Sequence, residues 1–245
     1  MRELELLVVG TGRCGTVFMA RILTSLGIPC GHESIFSFGG MKPARRVLEG
    51  KVQPRLSHVS TYNILRHCRI GQWVDPRNIV AESSYLAAPF LLDPLLENVP
   101  VIHVVRHPLK VVSSFVKDFH YFKRKNHRAA WEGFIYSHFP DLNKLRPPLE
   151  VACAFYVWWN EMIEKSCTER RYLFQKIEEM PSNQFFDFIV QQPRTDVFCD
   201  SLVNTNKHRK VNFLVDDIPE GVIKDQFVDM MTRYGYKPFS QPMLL

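Results

Sequence analysis

The chain lacks most of the features that settle a protein's class at once. Its six cysteines, Cys14, Cys30, Cys68, Cys153, Cys167 and Cys199, form no Cys-x-x-Cys pair. That speaks against a zinc site or disulfide framework and predicts reduced thiols in a cytoplasmic protein. No run of 18 apolar residues occurs, so no transmembrane segment is expected. The opening residues, Met1-Arg2-Glu3-Leu4-Glu5, carry acids and lead straight into an apolar run, which is not the pattern of a signal peptide. There is no internal repeat, no low-complexity tract and no nucleic-acid-binding module, so no nucleic-acid partner is expected. No cluster of metal ligands is visible, so no metal is expected either. The Gly-Lys-Ser/Thr ending of a nucleotide triphosphatase loop, whose lysine reaches the β- and γ-phosphates, is also missing.

What remains is the composition of a globular α/β protein. The 245 residues are 46% hydrophobic and 23% charged, enough to bury a substantial core in one domain spanning 1–245. The net charge of +6 suits an anionic ligand.

The chain is organised around Leu6 to Ala20. Leu6-Leu7-Val8-Val9 reads as a buried parallel strand. Gly10, Gly12 and Gly15 follow, and from Thr16 the positions Phe18, Ile22, Leu23 and Leu26 recur at helix spacing. Strand, glycine-rich turn and helix make a P-loop-like phosphate cradle, in which backbone N–H groups and the helix dipole draw an anion. Arg13 is the only cation inside the turn. A tight strand-to-helix turn without a ligand is the alternative.

Further strands are expected to end near His32 and at Glu82, after a start near Asn78. Val101–Val105 and Tyr172–Gln175 read as two more. Helices are expected after Pro108, through Leu86–Leu96 with breaks near Pro89 and Pro94, over Glu150–Cys167, and over about Pro219 to Tyr234 with Gly235 as its stop. Residues 129–148, with their prolines and aromatics, look like an insertion. The cluster Lys42, Arg45 and Arg46 is either a solvated helix face or a mobile loop over the substrate. The segment 117–128, with Phe119, Tyr121 and Phe122, is either a solvated loop or a substrate gate. Phe155, Trp158, Trp159 and Met162 are either core or an acceptor platform.

Strands alternating with helices predict a three-layer fold, a central parallel sheet flanked by helices, whose strand ends share one edge. On that edge stand Arg13 after the first strand, His32 and Glu33 after the second, and Arg106 after the fourth, with Ser114 eight residues further along the following helix. An arginine at a strand end and a hydroxyl on the next helix can grip one phosphate, because the guanidinium fork donates two parallel bonds.

With these residues in hand, the chain resembles the sulfotransferases that use 3′-phosphoadenosine 5′-phosphosulfate (PAPS). The family's 5′-phosphosulfate loop is similar to Gly12-Arg13-Cys14-Gly15-Thr16, running on to Val17, with Arg13 where most members have lysine. Its 3′-phosphate motif matches Arg106 and Ser114. Heparan-type members have a catalytic glutamate about twenty residues beyond the loop cation, where Glu33 stands, and a Glu-Lys-Ser/Thr-Pro-x-Tyr segment of which Glu82-Ser83-Ser84-Tyr85 looks like a reduced form without lysine and proline. The basic tail loop with Lys207, His208, Arg209 and Lys210 is similar to the segment that closes over the nucleotide. The resemblance spans roughly residues 5 to 236.

It implies transfer of a sulfuryl group from PAPS to an acceptor, a small molecule or carbohydrate, with 3′-phosphoadenosine 5′-phosphate (PAP) as product and no metal. Glu33 would be the base, with His32 as the competing candidate, and Arg13 would stabilise the departing phosphate. A P-loop kinase or NTPase, a nucleotide- or sulfated-glycan-binding protein without turnover, and a general polyanion binder are the rival expectations.

Overall fold

Four consecutive apolar residues, Leu6–Val9, are all buried and form β1 at the centre of a sheet, as expected for a strand covered on both faces. The computed structural model describes residues 3–56, 74–117, 125–145, 147–180, 182–189 and 214–237. They group into two compact units, Met1–Val105 with Ile163–Val203, and Arg106–Met162 with Asn204–Leu245.

The first unit holds the sheet. After β1 come α1 (Thr16–Ser25), β2 (Cys30–His32), α2 (Met41–Leu48), β3 (Ala81–Ser83) and β4 (Val101–Val105). β5 (Tyr172–Lys176) completes it. The order is β2-β3-β1-β4-β5 and every pairing is parallel. The fold is thus an all-parallel sheet flanked by helices, of the three-layer α/β class. The chain leaves β1 towards β2 and leaves β4 towards β5, so the connections diverge between β1 and β4, the place where open parallel sheets leave a crevice at their carboxyl ends. On one face of the sheet Leu6, Val8, Ala81, Ile102 and Val104 pack with Met19, Ala20, Ile22 and Leu23 of α1 and with Phe185 of a short helix, Asn183–Ile189.

The second unit is helical. It contains α3 (Pro108–Lys117), α4 (Lys125–His138), most of α5 (Pro148–Ser166) and, after the Asn183–Ile189 helix (α6), α7 (Val222–Arg233). Its core is aromatic. Phe155 and Trp159 of α5 stand 5.0 Å apart between ring centroids, Phe115 and Trp131 meet Phe155 edge-on, and Tyr156 meets Phe227. Phe155 and Trp159 are therefore core, while Trp158 is half-buried with its indole N–H directed at the Gln226 side chain.

Three expected elements are corrected. Leu86–Leu96 is not an α-helix but two tight 3₁₀ turns, Tyr85–Phe90 and Pro94–Leu96, because Pro89 and Pro94 lack the N–H that a longer helix needs and Ser84 and Asp93 cap each turn anew. Residues 129–148, expected as an insertion with no element assigned, are largely helical. Their first part belongs to α4, where Trp131, Phe134 and Ile135 are buried at helix spacing, and the prolines only follow it, at a 3₁₀ turn over Pro140–Lys144 and at the start of α5. Finally, Asn78 ends a turn opened by Asp75 and Pro76, so β3 begins only at Ala81. No helix among the described residues is long and apolar enough to cross a membrane.

Candidate functional site

The loop after β1 is shaped by close approach. A Cβ on Gly10 would stand 2.2 Å from the Val104 carbonyl oxygen and 2.6 Å from Cys14 Sγ, so only glycine lets the chain leave the sheet here. Arg13, at φ 71°, and Gly15, at φ 115°, both take left-handed conformations and turn the chain into α1. No side chain caps the N-terminus of α1, and its first turn holds no acid. The Thr11 hydroxyl is 1% exposed and has no hydrogen-bond partner among the described residues. A buried hydroxyl left unpaired is costly, and beside an uncapped helix start it fits an incoming anion such as a phosphate oxygen. Gly12 and Cys14 are buried in the same loop, Arg13 is half-buried and Val17 is exposed.

β2 ends on the same edge. Val8 pairs with Ser83, and Ser83 with His32, so the three strands finish level. His32 Nε2 lies 3.1 Å from the Thr16 hydroxyl, and the Ser83 hydroxyl donates to the Thr16 carbonyl at 2.8 Å. Ser83 stands where the resembled family carries lysine, and here it braces the start of α1.

The next residue, Glu33, is again left-handed, at φ 54°. After it Ile35 and Phe36 are buried, with Phe36 stacked on Phe90 at 6.3 Å between centroids. The fully buried Glu82 lies against this turn, and its Oε1 accepts from the Ile35 N–H at 3.0 Å. A Cβ on Gly31 would sit 2.4 Å from Glu82 Oε2, so glycine opposite Glu82 in the strand register makes room for the carboxylate. The Arg55 N–H donates to the Ser34 carbonyl at 2.9 Å and tethers the far side of the turn.

Burial raises the Glu33 carboxyl to about 7, against the pull of the Arg55 charge. Burial also raises Glu82 to about 7. The N–H groups of Ile35, Phe36 and Ser34 oppose that rise, and the Glu33 charge adds to it. The Cys30 thiol is pushed up by burial and by Glu82. A half-buried carboxyl near 7 is matched to taking a proton at neutral pH.

Arg106 directly follows β4 and belongs to the second unit, where its carbonyl accepts from the Tyr156 hydroxyl at 3.2 Å. Ser114 is buried in α3, and the hydroxyl of its neighbour Ser113 is buried with no hydrogen-bond partner among the described residues. His107 is buried against Tyr236. Burial first, then the Lys110 and Arg106 charges, hold its imidazole down to about 4, with the Lys237 backbone opposing. Lys207, His208, Arg209 and Lys210 lie outside the described residues, as do Phe119, Tyr121 and Phe122. Among the described residues no group of three or more His, Cys, Asp or Glu is arranged to hold a metal ion.

The structure thus brings Thr16, His32 and the turn of Glu33 together on one edge. Thr11, Gly31, Ser83 as a brace and Arg55 were not singled out from the sequence. Only the glutamate of Glu82-Ser83-Ser84-Tyr85 had a signal there, as a strand end. No protein-family model matches the chain, and no curated protein matches it significantly.

Proposed function

We propose that this protein is a sulfotransferase that moves the sulfuryl group of PAPS to a hydroxyl or amine of a small-molecule or carbohydrate acceptor. The reading rests above all on the conjunction at one sheet edge: a glycine-cut, uncapped loop after β1 without the triphosphatase lysine, and a half-buried carboxyl raised to about 7 after β2, one strand removed. In this reading the acceptor oxygen or nitrogen attacks sulfur as the bond from sulfur to the 5′-phosphate oxygen breaks. Glu33 takes the acceptor's proton. Arg13 and the N–H groups at the start of α1 stabilise the negative charge gathering on the leaving phosphate. Arg106 and Ser114 are assigned to the 3′-phosphate on the resemblance and on their position after β4. His32, bonded to Thr16, is the second candidate base.

Thermal shift with PAP, adenosine 5′-phosphate and Mg·ATP side by side tests the donor class. A ligand at a hundred times its dissociation constant adds about 2.7 kcal/mol, a rise of about 5–10 °C for a chain of this length. Stabilisation by PAP alone is expected. Preference for Mg·ATP would return the chain to the kinases, and silence with all three would sink donor binding. Arg106→Ala is expected to weaken PAP by about 2 kcal/mol, roughly thirtyfold, read by calorimetry. Unchanged affinity would remove Arg106 from the site.

A further inference from the structure

Glu82 is an unusual residue to bury. It is fully enclosed within β3, 47 residues from the backbone group it binds, and no cation is paired with it among the described residues. Burying a carboxyl is costly unless something holds it. Here one backbone N–H bonds it directly: Ile35 donates to Oε1 at 3.0 Å, and the Ser34 and Phe36 N–H groups also favour its charged form, while Oε2 is buried without a hydrogen-bond partner among the described residues. The turn that it holds carries Glu33 in left-handed backbone. Left-handed backbone is disfavoured for any side chain with a Cβ and persists only where the surroundings impose it. Two further features impose this one: Gly31 clears the space beside Glu82 Oε2, and Ile35 and Phe36 anchor the turn in the core.

We infer that Glu82 is the positioning residue for Glu33. Its buried carboxylate ties down the turn through the Ile35 N–H and so holds Glu33 in the one backbone conformation that presents its carboxyl to the acceptor. Glu82 touches no reacting atom. This inference deepens the sulfotransferase reading and rests on it for the word acceptor, but the mechanical claim stands on the turn itself. The groups around Glu82 that carry or could carry charge are Glu33, Cys30 and His32 on the β2 side, with Arg55 acting on Glu33.

The test compares Glu82→Gln, which keeps an acceptor for the Ile35 N–H but loses the charge, with Glu82→Ala, which loses both. Steady-state sulfuryl transfer, PAP calorimetry and amide exchange at Ile35 are measured on each. The expected result is a graded loss of kcat, about tenfold for Gln and on the order of a hundredfold for Ala, the scale set by misplacing a reacting group by about an ångström. PAP affinity stays within about twofold, and Ile35 exchange quickens in the same order. Wild-type kcat in both variants, or a kcat loss matched by an equal loss of PAP affinity, would overturn the positioning role. If Glu82→Ala does not fold, Glu82→Gln decides by the same criteria. If the wild-type protein transfers no sulfuryl group, the functional reading fails by itself. Positioning is then judged on Ile35 exchange and on a ¹³C titration of the Glu33 carboxyl: both unchanged in Glu82→Gln refutes it, and both shifted supports it.

Discussion

Two turns leave the same edge of the sheet, and they use the same devices to different ends. The turn after β1 sets Gly10 against the Val104 carbonyl, and the turn after β2 sets Gly31 against the Glu82 carboxylate. Each then carries a non-glycine residue in left-handed backbone, Arg13 in the first and Glu33 in the second. The difference is the anion. The second turn closes on a carboxylate of the protein itself, 47 residues along the chain. The first contains no acid, leads into an uncapped helix and buries an unpaired threonine hydroxyl. A carboxylate of the chain itself holds the second turn through the Ile35 N–H, whereas no side chain caps the helix that the first turn enters.

The largest effect that would separate the turns is chemical. Glu33→Gln is expected to lower turnover on the order of a hundredfold or more while PAP binding is kept. If Glu33→Gln runs near the wild-type rate and His32→Ala is dead, the base lies one residue earlier. The next effect is steric. In Gly10→Ala the new methyl meets a backbone carbonyl that cannot swing aside, and about 3 kcal/mol or more of stability should be lost. In Gly31→Ala it meets the ends of the Glu82 and Ser34 side chains and the Ser34 Cβ but no carbonyl, and about 1–2 kcal/mol is expected. Equal losses in chemical denaturation would erase the distinction between the two.

Smaller effects sharpen it. Glu33 and Glu82 sit near 7 in the fold against an ordinary value of 4.5, so the folded protein binds more protons than the unfolded chain between those values. Their contribution to stability is therefore fully present below about 4.5 and is lost as pH rises through about 7. His107, held to about 4 against 6.5, acts in the opposite sense: its contribution is present above 6.5 and is lost as pH falls towards 4. Melting temperatures between pH 5 and 8 should show a shallower decline for Glu82→Gln than for wild type. A matching slope would mean that Glu82 does not titrate there. Smallest of all, Arg13→Gly and Glu33→Gly should each relieve left-handed strain and raise stability by about 1 kcal/mol, seen as a modest rise in Tm. A fall in either would mean that its side chain stabilises the turn by more than the strain costs.

Elements with strong periodicity were legible in the chain. β4 falls on Val101–Val105 as its β-branched run predicts, and of the expected stripe on α5 Phe155 and Trp159 lie in the core while Trp158 and Met162 are half-buried. The missed helix, α4, was hidden by the prolines that follow it, which make a segment look irregular even when they stand outside the helix. Within the candidate site, the glycine-rich turn and the acid at position 33 could be marked from local pattern and resemblance. The tie from Glu82 to Ile35, the Thr16–His32 contact and the brace from Ser83 to Thr16 could not, since each joins residues far apart in sequence.

The sequence by itself determined an alternating α/β chain, the strand ends that would carry polar residues and the loop where glycine is concentrated, because hydrophobic period and turn chemistry are local properties. The tertiary structure alone decided the strand order and which carboxylate is buried beneath which turn. It also decided that Gly31 is required by a neighbour rather than by its own backbone. Those depend on which atoms meet across the sheet, and such close approaches follow from packing between strands that the linear pattern does not encode.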